Sequence, residues 1–453
     1  MILHKKLVKI SERLVICMKR IIAILLCVVL AFGLAACGTG NANGTKDKNK
    51  VNGENKGPVT LQWCATYLDP EVVHKYVDQF NAMHDRITVE VIDATYGSVS
   101  DYTAALALNI ATGDDSYDIF SMSAADFNKY VTSGVAYCLD DVLLGKEEIK
   151  QSALDVVMCN GHVYAYPATN DVVGLYVNLD MLEGSGHTLD ELSTWDGMIT
   201  VGTDIAKKNN NYGVLTDLGF GGAYAEFLWY SSLWSNGGDI SMDEEGNVTV
   251  TQPKALAAAA IQWRDLIRGA AGSTEFNNNI DYFVNGLCGM CLTGQTALSE
   301  MDEFMQGGYS FEWTFIPVPA AKAGAQSYSA LGGWFTLVNS RNEHPDDAVE
   351  FLNWLYFESD YVADMCKAYY QVTPLTTDEE KLQDLHTQTY FKLVDDMLSS
   401  GQIACKPEIA LNSKVLERLG KMLSNIVYQS TNNAEALAFV EDFIEEVNAT
   451  VIE

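Results

Sequence analysis

Val59-Thr-Leu-Gln-Trp63, then Pro70-Glu-Val-Val-His-Lys-Tyr-Val-Asp-Gln-Phe-Asn-Ala-Met83, then Ile87-Thr-Val-Glu-Val-Ile92 decide the fold. The first and third stretches alternate apolar and polar residues, the period of a strand with one face buried. Between them Val72, Val73, Tyr76, Val77 and Phe80 return at helical spacing. Strand, helix and strand this close together predict a parallel pair with a right-handed crossover, the unit of an α/β sheet.

The same rhythm continues downstream. Asp101 to Ala111 reads as a helix with Leu106 and Ile110 on one face, Tyr117 to Phe120 as a strand, and Ala124 to Val131 as a helix ending near Gly134. A second α/β pattern starts near Gly174. It begins with a strand at Leu175 to Asn178, and Thr188-Leu-Asp-Glu191 is a capping box that opens a helix. Helices follow over Trp195 to Lys207, Phe227 to Trp234 and Pro253 to Gly269, the last with proline at its start. A turn at Asp243 to Gly246 leads into a strand at Val248 to Val250. Later come a strand at Trp334 to Val338 and helices at Pro345 to Phe357, Lys414 to Gln429 and Ala434 to Val447.

Upstream of Val59 the character changes. Gly38 to Gly57 reads GTGNANGTKDKNKVNGENKG, too polar to pack a core. A coil of this composition spans about 25 Å on average, enough for a tether. Before it, Lys19 and Arg20 precede the apolar run Ile21 to Leu34, which ends in Leu34-Ala35-Ala36-Cys37. A basic start, a short apolar segment and a small-residue cut site make a secretory signal peptide. The run is shorter than the ~20 residues of a spanning helix. Cys directly after the cut resembles the bacterial lipobox, in which that Cys is lipidated. The competing reading is an ordinary signal peptide with an incidental Cys. The sequence is compatible with a start at Met1 or at Met18.

The chain has 453 residues and a net charge of −31, and the basic leader makes the mature part more acidic still. Such a surface argues against nucleic acid and anionic lipid as partners. The 48% hydrophobic content can fill the cores of two or three domains. Beyond Cys17, Cys27 and Cys37, seven cysteines remain: Cys64, Cys138, Cys159, Cys288, Cys291, Cys366 and Cys405. Odd and scattered, they read as buried thiols acting as small hydrophobes rather than a disulfide framework.

Catalytic signatures are sparse. Cys288-Gly-Met-Cys291 lacks the second ligand pair of a zinc site and reads as a strand with its thiols on opposite faces, not a helix-opening redox pair. Gly332-Gly333 and Gly219 to Gly222 match no phosphate loop, and no nucleophile elbow occurs. Asp243, Glu244 and Glu245 read as a solvated turn. The expectation is a non-enzyme without cofactor or metal.

The aromatics are more telling. Trp63, Tyr67, Trp229, Tyr230, Trp234, Trp313 and Trp334 lie near element ends or faces. Each alone reads as core, but together they suit stacking on sugar rings, with carboxylates and amides holding hydroxyls. The mature chain holds only Arg86, Arg264, Arg268, Arg341 and Arg418, all on expected helices or surface turns. Anions favour bidentate arginine, so this scarcity tilts the ligand toward neutral.

Several stretches together resemble the family 1 extracellular solute-binding proteins of ABC importers. They are Tyr117-Asp-Ile-Phe120 with Tyr130 and Ser133-Gly134, Asn160 to Pro167, Leu175 to Asp180, Ser193 to Asp196, Phe283 to Met290, Phe315 to Pro319, and Leu331-Gly-Gly-Trp334. They follow the family's order across Val59 to Val447. The resemblance implies a two-lobed periplasmic-binding-protein-like type II fold with the ligand cleft between α/β lobes. It places lobe 1 at 59–169 plus 330–382 and lobe 2 at 170–329 plus 383–453, after a signal peptide at 1–36 and a lipidated tether at 37–58. Crossings fall near Ala168 to Val172 and near Ser329. Ligand contacts would come from Trp63 and Tyr67, Met122 and Asp126, the hinge carboxylate Asp171, Trp229 and Tyr230, Thr296, and Trp334. The loop Gly294-Gln295-Thr296 departs from the family in lacking an aromatic, Met122 stands where many sugar receptors stack one, and the Ser193 to Asp196 motif continues with Gly197.

The resemblance implies a receptor that hands a small solute, foremost a mono- or oligosaccharide, to the membrane subunits of an ABC permease. It would touch the membrane only through its lipid. A non-sugar solute on the same scaffold (polyamine, peptide or phosphorylated polyol) and a surface-anchored hydrolase are the alternatives.

Overall fold

The structure, a computed structural model, describes residues 57–449 apart from 93–98, 114–115, 217–218, 221–223, 244–245, 272–278, 296, 299–300, 302–306, 308–310, 384–391, 395–396, 398–400, 402, 408, 410 and 412. The opening stretch folds as its pattern predicts. Strand β1 (Val59–Cys64) and strand β2 (Ile87–Val91) flank helix α1 (Pro70–Met83). Asp69 caps the helix by accepting the Val72 N–H at 2.9 Å, and Val73, Tyr76, Val77 and Phe80 form its buried stripe. β1 pairs in parallel with β2 and with β3 (Ile119–Ser123), which follows α2 (Val99–Thr112). Helix α3 is Ala124–Thr132.

The first sheet is mixed rather than parallel throughout. A short β4 (Tyr166–Pro167) lies at its far edge, and a strand from much later in the chain separates β4 from β3. The second sheet is built on β5 (Asp171–Asn178), buried along nearly its whole length. Covered on both faces, such a strand reads as a continuous apolar run, here Val172 to Val177. Around it lie α4 (Trp195–Asn209), β6 (Tyr212–Thr216), α5 (Tyr224–Ser235), α6 (Pro253–Leu266), α7 (Asn279–Val284), β7 (Cys288–Gly294), β8 (Trp313–Pro317) and β9 (Ser327–Gly332). The late strand β10 (Trp334–Val338) returns to the first sheet, antiparallel to β3 and β4. Helices α8 (Pro345–Asn353) and α9 (Tyr361–Tyr369) follow. β11 (Ile403–Pro407), α10 (Ser413–Gln429) and α11 (Asn433–Ala449) then end the described chain. Sheet orders are β2-β1-β3-β10-β4 and β11-β9-β5-β7-β6, with β8 also on β5.

β9 stays in the second sheet through Gly332 and β10 starts in the first at Trp334, so this crossing falls at Gly333, beyond the expected Ser329. The Thr188 capping box is present but opens a single 3-10 stretch, Leu189–Ser193. Helix α4 has its own cap, Thr194, whose hydroxyl accepts the Gly197 N–H at 3.2 Å. The last turns of the helices expected at Pro253 and Pro345 are π-helical, at Ile267–Ala271 and Trp354–Glu358.

Two apolar clusters fill the interior. One fills the first sheet's layers and continues onto the side of the second sheet that carries Tyr176, Phe283 and Phe315. The other holds Trp195, Trp229 and Trp263 beneath α4, α5 and α6. Cys288 and Cys291 are both buried and both belong to the first cluster. Cys64, Cys159, Cys288, Cys291 and Cys366 are buried as expected of small hydrophobes, but Cys405 is partly exposed and Cys138 is exposed.

Candidate functional site

Three chain segments pass side by side between the two sheets. Gly332 is the cross-strand partner of Asp171, and Asn170 bridges Val372. The Trp334 N–H donates to Thr169 Oγ1 at 3.2 Å, and the Ala168 N–H donates to the Trp334 carbonyl at 2.8 Å. Between them Gly333 adopts φ +140°, and a Cβ there would sit 2.0 Å from the Thr169 carbonyl oxygen. Only glycine fits so close an approach.

The carboxyl ends of β1 and β3 point toward these crossings, the usual ligand end of an α/β sheet. After β1 the chain turns through Tyr67, a non-glycine residue at φ +65°. Its ring stacks on Trp334 with centroids 5.5 Å apart and an interplanar angle of 21°. Tyr102 tilts against Tyr67 at 5.9 Å. From the end of α9, Tyr369 Oη donates to the Tyr67 carbonyl at 3.3 Å. Burial, and then the Asp69 carboxylate, push the Tyr369 hydroxyl up to about 12, so it stays a donor at neutral pH. Ser123, partly exposed, is the cross-strand partner of Trp334.

Asp171, half-buried at the start of β5, pairs with Gly332, two residues before Trp334. Gly294 gives it room, since a Cβ there would come within 2.7 Å of Asp171 Oδ2. The Phe227 ring lies over Gly332. Behind them Gln295 Nε2 donates to the Tyr370 carbonyl at 2.6 Å, tying the end of β7 to the third crossing. Gln295 Oε1, Asn170 Oδ1 and both polar atoms of the Gln371 side chain are buried without a hydrogen-bond partner among the described residues. Each such group costs about 1–3 kcal/mol, and buried amides left this way in a native fold call for an explanation. A partner supplied by hinge motion or ligand is one.

Among the site residues expected from sequence, Tyr67, Asp171 and Trp334 come together here. Trp63 does not. It is fully buried, its Nε1–H donates to Ser121 Oγ at 3.3 Å, and it packs edge-on against Phe351 and Tyr361. Met122, cross-strand partner of Phe335, is 2% exposed, so it offers no stacking surface. Trp229 and Tyr230 are also enclosed, because from Ala225 to Trp234 every residue of α5 is buried. A helix covered all round has no outward face to give to a ligand. Asp126 lies in α3, but its side chain, Thr296 and Cys37 are outside the described residues. Sequence reading missed Tyr369, Tyr370 and Gln371. The only local signal is an aromatic pair closing a helix, with Tyr370 left-handed at φ +54° as its cap.

Four of the five arginines that follow the leader are engaged elsewhere. Arg86 binds Asp347 at 2.8 Å and Glu350 at 3.2 Å, and Arg264 binds Asp265 and Ser430. Arg268 and Arg418 donate to the carbonyls of Val427 and Glu446. An aromatic stack, a carboxylate and backbone from three crossings suit a neutral polyhydroxyl ligand: apolar ring faces on the aromatics, hydroxyls on the acid.

A profile of bacterial extracellular solute-binding proteins matches residues 75–391. A lactose-binding protein of Rhizobium radiobacter is 27% identical over 320 residues, 66% of this chain and 70% of its own length. Among solved structures, the GacH receptor of Streptomyces glaucescens, studied unliganded and with acarbose, superposes with a TM-score of 0.69 at 19% identity, over 87% of this chain and 99% of that one. UgpB from Mycobacterium tuberculosis in complex with glycerophosphocholine superposes with a TM-score of 0.68 at 15% identity, over 88% of this chain and 100% of that one.

Proposed function

The chain belongs to the bacterial extracellular solute-binding proteins, and from that membership we propose that it is a sugar receptor of an ABC importer. The observation that carries the reading is the Tyr67–Trp334 stack beside Asp171 at the crossings. The lactose-binding relative and the acarbose-binding structural neighbour support the ligand class. The lobes, 59–169 with 330–382 and 170–329 with 383–453, adjusted to the crossing at Gly333, close over the sugar by hinge motion about the three crossings. Closure is favoured only as far as the sugar is held better by both lobes than by one. The receptor leaves its cargo chemically unchanged and passes it to permease subunits. Lipidated Cys37 and the tether at 37–58 keep it at the membrane's outer face.

A thermal-shift panel tests this. The cognate saccharide at 100 times its dissociation constant is expected to stabilise the folded chain by about 2.7 kcal/mol. A shift with spermidine, peptide or glycerophosphocholine but with no saccharide rejects the sugar reading; consumption of the sugar by purified protein rejects the receptor reading.

Asp171→Asn keeps the shape but removes the charge that strengthens hydroxyl hydrogen bonds. It is expected to weaken sugar binding roughly tenfold, about 1.4 kcal/mol, while leaving unfolding in urea nearly unchanged. Equal losses in binding and stability would make Asp171 a structural group only.

A further inference from the structure

Away from the crossings, residues 136–139 run along the first sheet and turn at Asp140. Ala136 bridges Asn339, the Tyr137 N–H donates to the Val338 carbonyl at 2.9 Å, and the Leu139 N–H donates to the Val163 carbonyl at 2.8 Å. Leu139 is fully buried, while its neighbours Cys138 and Asp140 are both exposed. A hairpin, Met158–Cys159 against His162–Val163, brings a third side chain to the same spot. Its two-residue turn, Asn160 at φ +52° and Gly161 at φ +83°, has the positive φ angles that match strand twist in tight hairpins. Asp140 Oδ1 accepts the Val163 N–H at 2.8 Å, and Oδ2 lies 2.5 Å from His162 Nδ1. The Cys138 thiol, an Asp140 oxygen and a His162 nitrogen all lie within 4.8 Å of one another. Cys138 is also the one exposed thiol among the described cysteines, the others being buried or partly buried.

We propose that Cys138, Asp140 and His162 form a surface site for a borderline divalent cation, Zn²⁺ foremost. Thiolate, imidazole and carboxylate are the three zinc donor types in proteins. Tetrahedral zinc places its donor atoms roughly 3.3–3.8 Å apart, so small rotations of three exposed side chains complete the set. Three protein donors leave a fourth position for water or for a donor from another molecule. Asp140 is positioned from behind by Val163, and the hairpin turn holds His162, so two ligands come preplaced. The bland alternative is a plain surface His–Asp pair beside a bystander thiol, and the two readings differ in what Cys138 does.

The test is titration of the reduced, folded full chain with Co²⁺, followed by Zn²⁺ competition against a chromogenic chelator. Wild-type protein is expected to show a thiolate-to-cobalt charge-transfer band that Zn²⁺ abolishes. C138S should lose the band, and C138S and H162Q should each bind Zn²⁺ more weakly by at least about tenfold, because removing even an outer-shell partner costs that much. Both residues are exposed, so both variants should fold, and their response to the cognate sugar should match wild type. No band in the wild type, or equal Zn²⁺ affinity in wild type and C138S, overturns the site.

Discussion

Replacing Trp334 by alanine is expected to weaken sugar binding by about 2–3 kcal/mol, roughly 30- to 150-fold, with unfolding in urea shifted by no more than about 1.5 kcal/mol. The indole is half-buried at the head of β10 and stacks on Tyr67. Its loss removes a stacking surface at the crossing, while its backbone bonds to Ala168 and Thr169 remain. Trp334→Phe should recover most of the affinity, since a ring remains to stack. Calorimetric titration beside urea denaturation separates the two quantities. A large stability loss with unaltered affinity would place Trp334 in the scaffold and remove it from the site.

Trp63→Ala should behave in the opposite way. A fully enclosed indole replaced by a methyl leaves a cavity between β1, α8 and α9, where Phe351 and Tyr361 now pack against it. Substitutions of this kind cost about 3–5 kcal/mol, and the Ser121 hydroxyl also loses a donor. The fraction that remains folded should bind sugar with wild-type affinity. A selective loss of affinity would instead return Trp63 to the ligand site and contradict its enclosure.

These two tryptophans show where reading residues in order succeeds and where it stops. Both sit at strand ends in sequence, and both belong to the same aromatic set. Helix α1 and strand β10 lie within the residues their periodicity predicts, because amphipathic spacing is written into neighbouring positions. Periodicity cannot say which layer will cover a face. Trp63 is closed off by α8 and α9, nearly three hundred residues downstream. Trp229 and Tyr230 are closed off because α5 is surrounded on every side. The Tyr369–Gln371 crossing was equally illegible, since its closeness to Tyr67 and Gln295 arises only when the chain returns a third time.

Local pattern and composition alone thus pointed to two α/β units and a shortage of arginine for an anionic ligand, and the order of several short motifs pointed to the family. Those properties depend on neighbours in the chain or on residue totals. The tertiary structure decided which aromatics face the crossing, where β9 yields to β10, and that Cys138 meets Asp140 and His162 on the surface. Each depends on segments far apart in sequence, and their contact is set by the packing of whole layers rather than by any local spacing.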